Sequence, residues 1–445
     1  MIYIIADDLT GATDTGVQFS KQGYNTHLVI VSETGQWAVP AREDIDVLVI
    51  DTETREIDAP AARTRIRQVL GKLQVAADDV LYKKVDSTLR GNIGVELDEC
   101  LRNLQVDLCI FTSSFPQNAR ITVGGYLIVD DQPLGLSEYY QGDLAPEDAS
   151  FVPTLLQHDV QYAIAQIELR DVIRGRQAIA EKIRSTAHTA EKILVADAIN
   201  EGQLHELLVS SFDVDRAMLY SGSAGLANAL SDLYHGVKHA PNAALRSQDA
   251  AGEPVLVVSG SRRTIVQRQI EYLKQTIDVV EVNLDVERLV TQREEMVARY
   301  ADTAIQGFRQ GQHVVLHPDP AYHHEQSIQT LLSRHGLRFR ELELAIREFL
   351  GVLVANILDT HFVKNIILTG GDTAIGVCSC LQITHLNIIE ELLPGIPLCV
   401  AKFHETRELN IVTKAGGFGE QKTFHTLITT LTPSRHREEI YESIT

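Results

Sequence analysis

The string Leu368-Thr369-Gly370-Gly371-Asp372-Thr373-Ala374 closes an apolar run, Asn365-Ile366-Ile367-Leu368, and opens a small-residue helical pattern. Paired glycines at such a junction let the backbone approach a ligand, and the free N–H groups of the helix start face an anion. Asp372 stands where it could touch a phosphate-bound Mg²⁺ or cap the helix. Two further loops have the same build. Ser259-Gly260-Ser261 follows Val255–Val258 and leads into Arg262-Arg263, and Thr413-Lys414-Ala415-Gly416-Gly417-Phe418-Gly419 follows Ile411–Val412. Together the three could hold a nucleotide's phosphates through backbone N–H groups, with serine hydroxyls and Lys414 adding contacts. The bland alternative is that Gly416, Gly417 and Gly419 only permit a tight turn. Neither a P-loop nor a dinucleotide fingerprint is present, so a nucleotide site here is of another type.

The first half carries a different chemistry. Its apolar runs end in Asp7-Asp8-Leu9-Thr10-Gly11, in Asp51-Thr52-Glu53-Thr54-Arg55, in Lys83-Lys84-Val85-Asp86-Ser87-Thr88-Leu89-Arg90-Gly91 and in Thr112-Ser113-Ser114-Phe115-Pro116. Ligands of open α/β sheets bind beyond the carboxyl ends of the strands. Carboxylates, hydroxyls and cations gathered there suit a polyhydroxy acid. Arg or Lys can hold its carboxylate, and Asp can accept from hydroxyls or act as general base. Structural readings compete at each position: Asp8 and Thr10 could cap a helix, Asp14 could be solvated, and Asp86 could simply pair with Lys84. A phosphatase would want Asp-x-Asp, and Leu9 holds the second Asp position. The stretch His317–Glu325 lacks the spacing of a zinc helix and is broken by prolines, so a polar surface loop is expected and no metal ligand is assigned. Cys378 and Cys380 fall on different sides of a helical pattern and read as packing residues.

These loops need elements to position them. Short apolar runs (Ile2–Ala6, Leu28–Val31, Val47–Ile50, Leu108–Phe111, Val255–Val258, Val314–Leu316, Ile366–Leu368, Ile411–Val412) alternate with helical patterns such as Ile93–Leu104 and Ile265–Leu273. That alternation predicts an α/β protein with mainly parallel sheets flanked by helices. A chain of 445 residues has room for two domains. The poorly periodic stretch His235–Pro254 predicts the boundary, giving a domain over 1–240 and another over 250–445. The formal charge of −20 argues against nucleic acid and anionic membranes, which are bound through clustered Lys and Arg. Five cysteines without a CxxC pair, no signal-like start and no apolar stretch of membrane-spanning length predict a cytoplasmic protein.

Asp7-Asp8-Leu9-Thr10-Gly11-Ala12, Lys84 to Gly91, Thr369 to Ala374 and Lys414 to Gly419 stand in this order, and the chain thereby resembles the four-carbon acid sugar kinase family of D-threonate, D-erythronate and 3-oxo-tetronate kinases. The resemblance runs from Ile5 to about Glu420. It implies a sugar-acid-binding first domain, a nucleotide-binding second domain, an active site in the cleft between them, and ATP-dependent phosphorylation of the 4-hydroxyl. Carried over by motif, the substrate residues are Asp8, Arg55, Lys84, Val85, Asp86 and Ser87, with Asp8 or Asp86 as the catalytic base. The nucleotide residues are Ser259, Gly370, Gly371, Asp372, Thr373 and Gly416. ATP with Mg²⁺ is the expected cofactor set, and a homodimer the expected assembly. Ala119 departs from the glycine that relatives tend to carry before Arg120. A diacylglycerol-kinase- or phosphofructokinase-like enzyme, a kinase for another small polyol, and a nucleotide- and sugar-acid-binding sensor without turnover are the competing readings.

Overall fold

The computed structural model describes residues 1–31, 37–140, 142–186, 189–234, 236, 252–404 and 406–433. The chain divides into two compact units, Met1–Ala240 and Pro241–Thr445. Of the expected boundary stretch, residues 235 and 237–251 lie outside the described residues.

In the first unit the elements run β1 (Ile2–Ala6), α1 (Leu9–Ser20), β2 (Thr26–Ile30), β3 (Val47–Asp51), α2 (Ala59–Leu70), β4 (Val80–Lys84), α3 (Ile93–Asn103) and β5 (Leu108–Thr112). A small antiparallel sheet follows, β6 (Arg120–Val123), β7 (Tyr126–Val129) and β8 (Gln132–Pro133), then the short helices α4 (Pro146–Ser150) and α5 (Val152–Gln157). The unit closes with β9 (Ala163–Ile167), α6 (Leu169–Ile173), α7 (Arg176–Thr186), β10 (Glu191–Ala196), α8 (Glu201–Phe212), β11 (Met218–Gly222) and α9 (Ala224–Leu233). Its main sheet has the order β2-β3-β1-β4-β11-β5-β10-β9, and every pairing in it is parallel. The inner strands β1, β3 and β5 are fully buried, as a sheet covered on both faces requires, whereas the edge strand β9 is buried only at Ile167.

The chain leaves β1 for β2 and β3 on one side, then crosses to β4 on the other. The switch point therefore falls at β1, where the loops after β1, β3 and β4 diverge.

The second unit runs β12 (Val255–Ser259), α10 (Thr264–Thr276), β13 (Val279–Leu284), α11 (Val286–Thr291), α12 (Arg293–Arg309), β14 (His313–Pro318), α13 (Glu325–His335), α14 (Phe339–Thr360), β15 (Asn365–Thr369), α15 (Gly371–Cys380), β16 (His385–Leu393), β17 (Ile396–Phe403), β18 (Arg407–Lys414) and α16 (Thr423–Leu431). Strands β13-β14-β12-β15-β18 are parallel, with the switch point at β12. Strands β16, β17 and β18 form an antiparallel meander. Helix α15, which opens at Gly371, is pressed onto α14 by small residues. A Cβ at Gly376 would lie 2.7 Å from the Arg347 carbonyl, and one at Gly351 2.5 Å from the Gly376 carbonyl. Such close approach fixes where the N-terminus of α15 points.

The histidine-rich stretch is the end of β14 followed by a 3₁₀ turn, exposed at Pro320, Ala321, His324 and Glu325, with Tyr322 buried and His317 held by Glu281 at 3.0 Å. One local expectation is corrected. Cys378 is buried as a packing residue, whereas Cys380, two positions on, is exposed at the end of α15. No helix among the described residues is long and apolar enough to cross a membrane.

Candidate active site

In the first unit, Asp8 ends the β1 loop and begins α1. Its extended backbone makes it the N-cap, and its Oδ1 accepts from the Gly11 N–H at 3.0 Å. The same oxygen lies 2.7 Å from Arg55 Nη2. Arg55 comes from the loop after β3 and is locked by Asp7, its Nε donating to Oδ2 at 2.8 Å and its Nη2 to Oδ1 at 2.9 Å. This bidentate fork fixes the guanidinium plane. Lys84, the last residue of β4, donates to the Val85 carbonyl at 2.8 Å.

Gly11 shows where these groups converge. A Cβ there would lie 2.6 Å from Asp8 Oδ1, 2.9 Å from Lys84 Nζ and 3.7 Å from Arg55 Nη2. The missing side chain lets one carboxylate and two cations, each from a different strand end, close in on this turn. Gly91 makes a second close approach. It sits at φ +96°, and a Cβ there would press on Arg55 Cγ at 3.1 Å and Asp7 Oδ2 at 3.2 Å.

Asp86 does not pair with Lys84. Its carboxylate takes a bidentate bond from Arg90, at 2.8 and 3.0 Å, and accepts from Thr88 Oγ1 at 2.5 Å. Burial acts to raise the Asp86 pKa, but the Arg90 and Arg55 guanidiniums outweigh it and hold it well below the ordinary range. Asp7 is likewise held low, Arg55 and Lys83 prevailing over burial. Asp8 moves the other way: burial, reinforced by the Asp7 charge, prevails over Arg55 and raises it. Asp51, fully buried at the end of β3, is pushed well up by burial and by Glu53 and Asp8. Neighbouring carboxylates are thus driven apart in acidity, which is how one site obtains separate proton acceptors and charge holders.

Val85 is committed to the fold. Its N–H donates to the Gly222 carbonyl at 2.9 Å, its carbonyl accepts from Lys84, and its side chain is buried. Ser87 lies half-buried in the turn after it. The sequence reading gave no role to Asp7, Gly11 or Gly91. Strand alternation carried a signal for Asp7, because successive side chains of an extended segment take opposite sides and only one of two adjacent aspartates can face the next loop. Nor did it separate the two lysines. Lys83 points to the opposite face from Lys84 and is buried against Glu96 at 2.6 Å.

In the second unit the three loops after β12, β15 and β18 also meet. The Gly260 N–H donates to Thr373 Oγ1 at 3.0 Å, and the Gly370 N–H to the Lys414 carbonyl at 2.8 Å. A Cβ at Gly416 would lie 2.9 Å from Ser261 Oγ. Gly370 has φ +96°, so glycine is required there, and it rather than Asp372 occupies the N-cap of α15. Ser259 is fully buried, and its Oγ accepts from the Ser261 N–H at 3.2 Å, so it shapes the loop from within. Asp372 lies inside the first turn, half exposed, 3.6 Å from Arg340. With Thr373, Gly260, Glu343, Arg347 and Tyr322 it lines an open pocket. Arg340 also stands 3.5 Å from Glu343, so both carboxylates of this pocket face one guanidinium; carboxylates beside a hydroxyl are of the type that Mg²⁺ takes together with phosphate oxygens and water. Among the described residues no group of three or more His, Cys, Asp and Glu gathers as a self-sufficient metal site.

Comparison with known proteins agrees with both halves. Residues 2–230 match a family described as a sugar-binding N-terminal domain, and residues 256–424 one described as a nucleotide-binding C-terminal domain. A D-threonate kinase of Salmonella typhimurium is 30% identical over 422 residues, covering 94% of this chain and 96% of that protein. A D-erythronate kinase of Heliobacterium modesticaldum is 24% identical and covers 94% of each chain. A crystal structure of a Haemophilus influenzae protein, 23% identical, superposes with a TM-score of 0.72 over 96% of this chain and all of that one, which supports the fold. Two α/β units with phosphate-type loops in the second and an acid-and-cation cluster in the first, matched along the whole length by such relatives, make the chain a member of the four-carbon acid sugar kinase family and an ATP-dependent kinase.

Proposed function

We propose that this kinase transfers the γ-phosphoryl group of ATP to the 4-hydroxyl of a four-carbon sugar acid of the D-threonate, D-erythronate or 3-oxo-tetronate type. The observation that carries the reading is the convergence of Asp8, Lys84 and Arg55 beside Gly11. A small acid with adjacent hydroxyls needs a cation for its carboxylate and a carboxylate for a hydroxyl, and both stand there from separate strand ends.

Lys84 and Arg55 hold the substrate carboxylate, with Asp7 keeping the guanidinium plane fixed. Asp86, held in its charged form by Arg90 and Arg55, accepts a hydrogen bond from a substrate hydroxyl. Asp8 is the better base of the two, because its pKa is raised and a stronger base takes the attacking hydroxyl's proton more readily. The nucleotide's phosphates lie against the N–H groups of the loops at Ser259–Gly260, Gly370–Thr373 and Gly416. Asp372, with Glu343, would hold Mg²⁺ by giving up Arg340, and the ion when bound neutralises charge on the phosphates. Phosphoryl transfer demands little else from a protein than positioning and charge.

Replacing Asp8 by Asn tests the assignment. Turnover should fall by about 10²–10⁴-fold, the usual contribution of a general base, with ADP affinity unchanged. A variant that turns over at the wild-type rate removes Asp8 from the mechanism.

A further inference from the structure

The loop Ala415–Gly419 is held from beneath by two buried donors whose geometry has a directional consequence. Lys414, at the end of β18, donates from Nζ to the Ala415 carbonyl at 3.0 Å and to the Phe418 carbonyl at 3.1 Å. Gln269 of α10 donates from Nε2 to the same Phe418 carbonyl and to the Glu420 carbonyl, both at 3.1 Å. Both side chains are almost completely buried.

In a trans peptide the C=O and the following N–H point in opposite directions. Drawing the Ala415 oxygen inward therefore turns the Gly416 N–H outward, and drawing in the Phe418 oxygen turns the Gly419 N–H outward. Among the described residues neither of these N–H groups, nor that of Gly417, has a hydrogen-bond acceptor. The outer side of the loop is open: a Cβ at Gly417 would meet nothing within 4 Å. Gly419 sits at φ +84°, where a Cβ would also strike Thr423 Oγ1 at 2.3 Å, so the turn admits no side chain there.

Two features separate this arrangement from ordinary loop packing. Lys414 has no carboxylate in ion-pair range among the described residues; burial pushes it down to about 7, and a neutral amine still carries an N–H for each carbonyl. Gln269 uses both amide hydrogens on this loop while its buried Oε1 has no hydrogen-bond partner. A buried amide left half-satisfied costs stability, so its retention fits a task in the loop.

We propose that Lys414 and Gln269 are positioning residues of the nucleotide site, which aim the Gly416 and Gly419 N–H groups at a phosphate by capturing the carbonyls behind them. The proposal rests on the reading that this loop receives the nucleotide's phosphates.

The test uses the full-length protein and calorimetric titration with Mg²⁺-ADP and, separately, with adenosine, on Lys414→Met, Gln269→Met and Gly416→Ala. Both near-isosteric variants should weaken ADP by about tenfold or more and leave adenosine affinity within twofold, because only the phosphate contacts are mis-aimed. If Lys414→Met does not fold, Gln269→Met carries the test alone. ADP affinity at the wild-type level in Gln269→Met, with Gly416→Ala impaired, overturns the positioning role while sparing the loop's assignment. Unchanged ADP affinity in Gly416→Ala overturns the loop's assignment and the proposal with it.

Discussion

Gly11→Ala sets two physical effects against each other. Gly11 is the third residue of α1, and a glycine inside a helix is normally worse than alanine by roughly 0.5–1 kcal/mol, so the exchange alone should stabilise the fold. Here the added Cβ would stand 2.6 Å from Asp8 Oδ1 and 2.9 Å from Lys84 Nζ, well inside the 3.4 Å at which ordinary contact begins. Both are ends of side chains, so the fold can yield by moving them, on the order of 1 Å for Asp8, a displacement that costs a catalytic site about 10²-fold. That loss corresponds to about 2.7 kcal/mol of transition-state stabilisation. The variant should therefore unfold within about 1 kcal/mol of wild type and bind ADP normally. Its kcat/KM for the sugar acid should fall by about two orders of magnitude, read by coupled ADP release beside chemical denaturation. A kcat/KM within threefold of wild type would refute the idea that Asp8 and Lys84, as placed beside Gly11, act on the substrate.

Other consequences follow from named groups. Ala119 adopts a left-handed conformation, φ 55° and ψ 39°, which costs an L-residue about 1–2 kcal/mol, against about 0.4–1 kcal/mol of extra unfolded-state entropy for glycine. Ala119→Gly should accordingly stabilise the protein by up to about 1 kcal/mol in a denaturant titration. Lys83→Met should cost about 3–5 kcal/mol by leaving the buried Glu96 carboxyl without its partner, and Lys83→Met combined with Glu96→Leu should recover most of that loss. Lys414 has a folded-state pKa of about 7 against 10.5 unfolded, so the unfolded chain binds the extra proton between those values. Its penalty is full below pH 7 and is relieved as pH rises towards 10. The melting temperature of wild type should therefore climb relative to Lys414→Met over that range, and parallel curves would contradict it.

Much of the fold was legible in sequence because buried parallel strands are short continuous apolar runs. Val47–Ile50, Leu108–Phe111, Val255–Val258 and Ile366–Leu368 each reappear within a residue of the observed strand. The antiparallel meander β16–β18 was less legible. Strands β16 and β18 mix polar and apolar positions, so only Ile411–Val412 within β18 stood out, and the apolar run of β17, Ile396 to Ala401, was passed over because Pro397 interrupts it.

The candidate site divides in the same way. Loops at strand ends follow from local order, which puts Asp8, Arg55 and Lys84 on three such ends, and the family resemblance singles them out. Which charges pair does not, since Arg55 reaches Asp7 across 48 residues and Asp86 takes Arg90 instead of Lys84. The close approach at Gly11 and Gly91 was hidden for a related reason. A glycine's value there lies in what stands opposite it, and that is fixed only when three strand ends meet. Cys380 was misjudged because helical phase assigns a side, and this one faces outward at the end of its helix.

The most direct measurement is coupled ADP release with Mg²⁺-ATP against D- and L-threonate, D- and L-erythronate and the 3-oxo-tetronates, with the phosphorylated position read by phosphorus–proton NMR. Turnover on one or two members, with the phosphate on the 4-oxygen, is the predicted result. Silence across the panel with ADP still binding, or phosphate on another oxygen, would contradict the account.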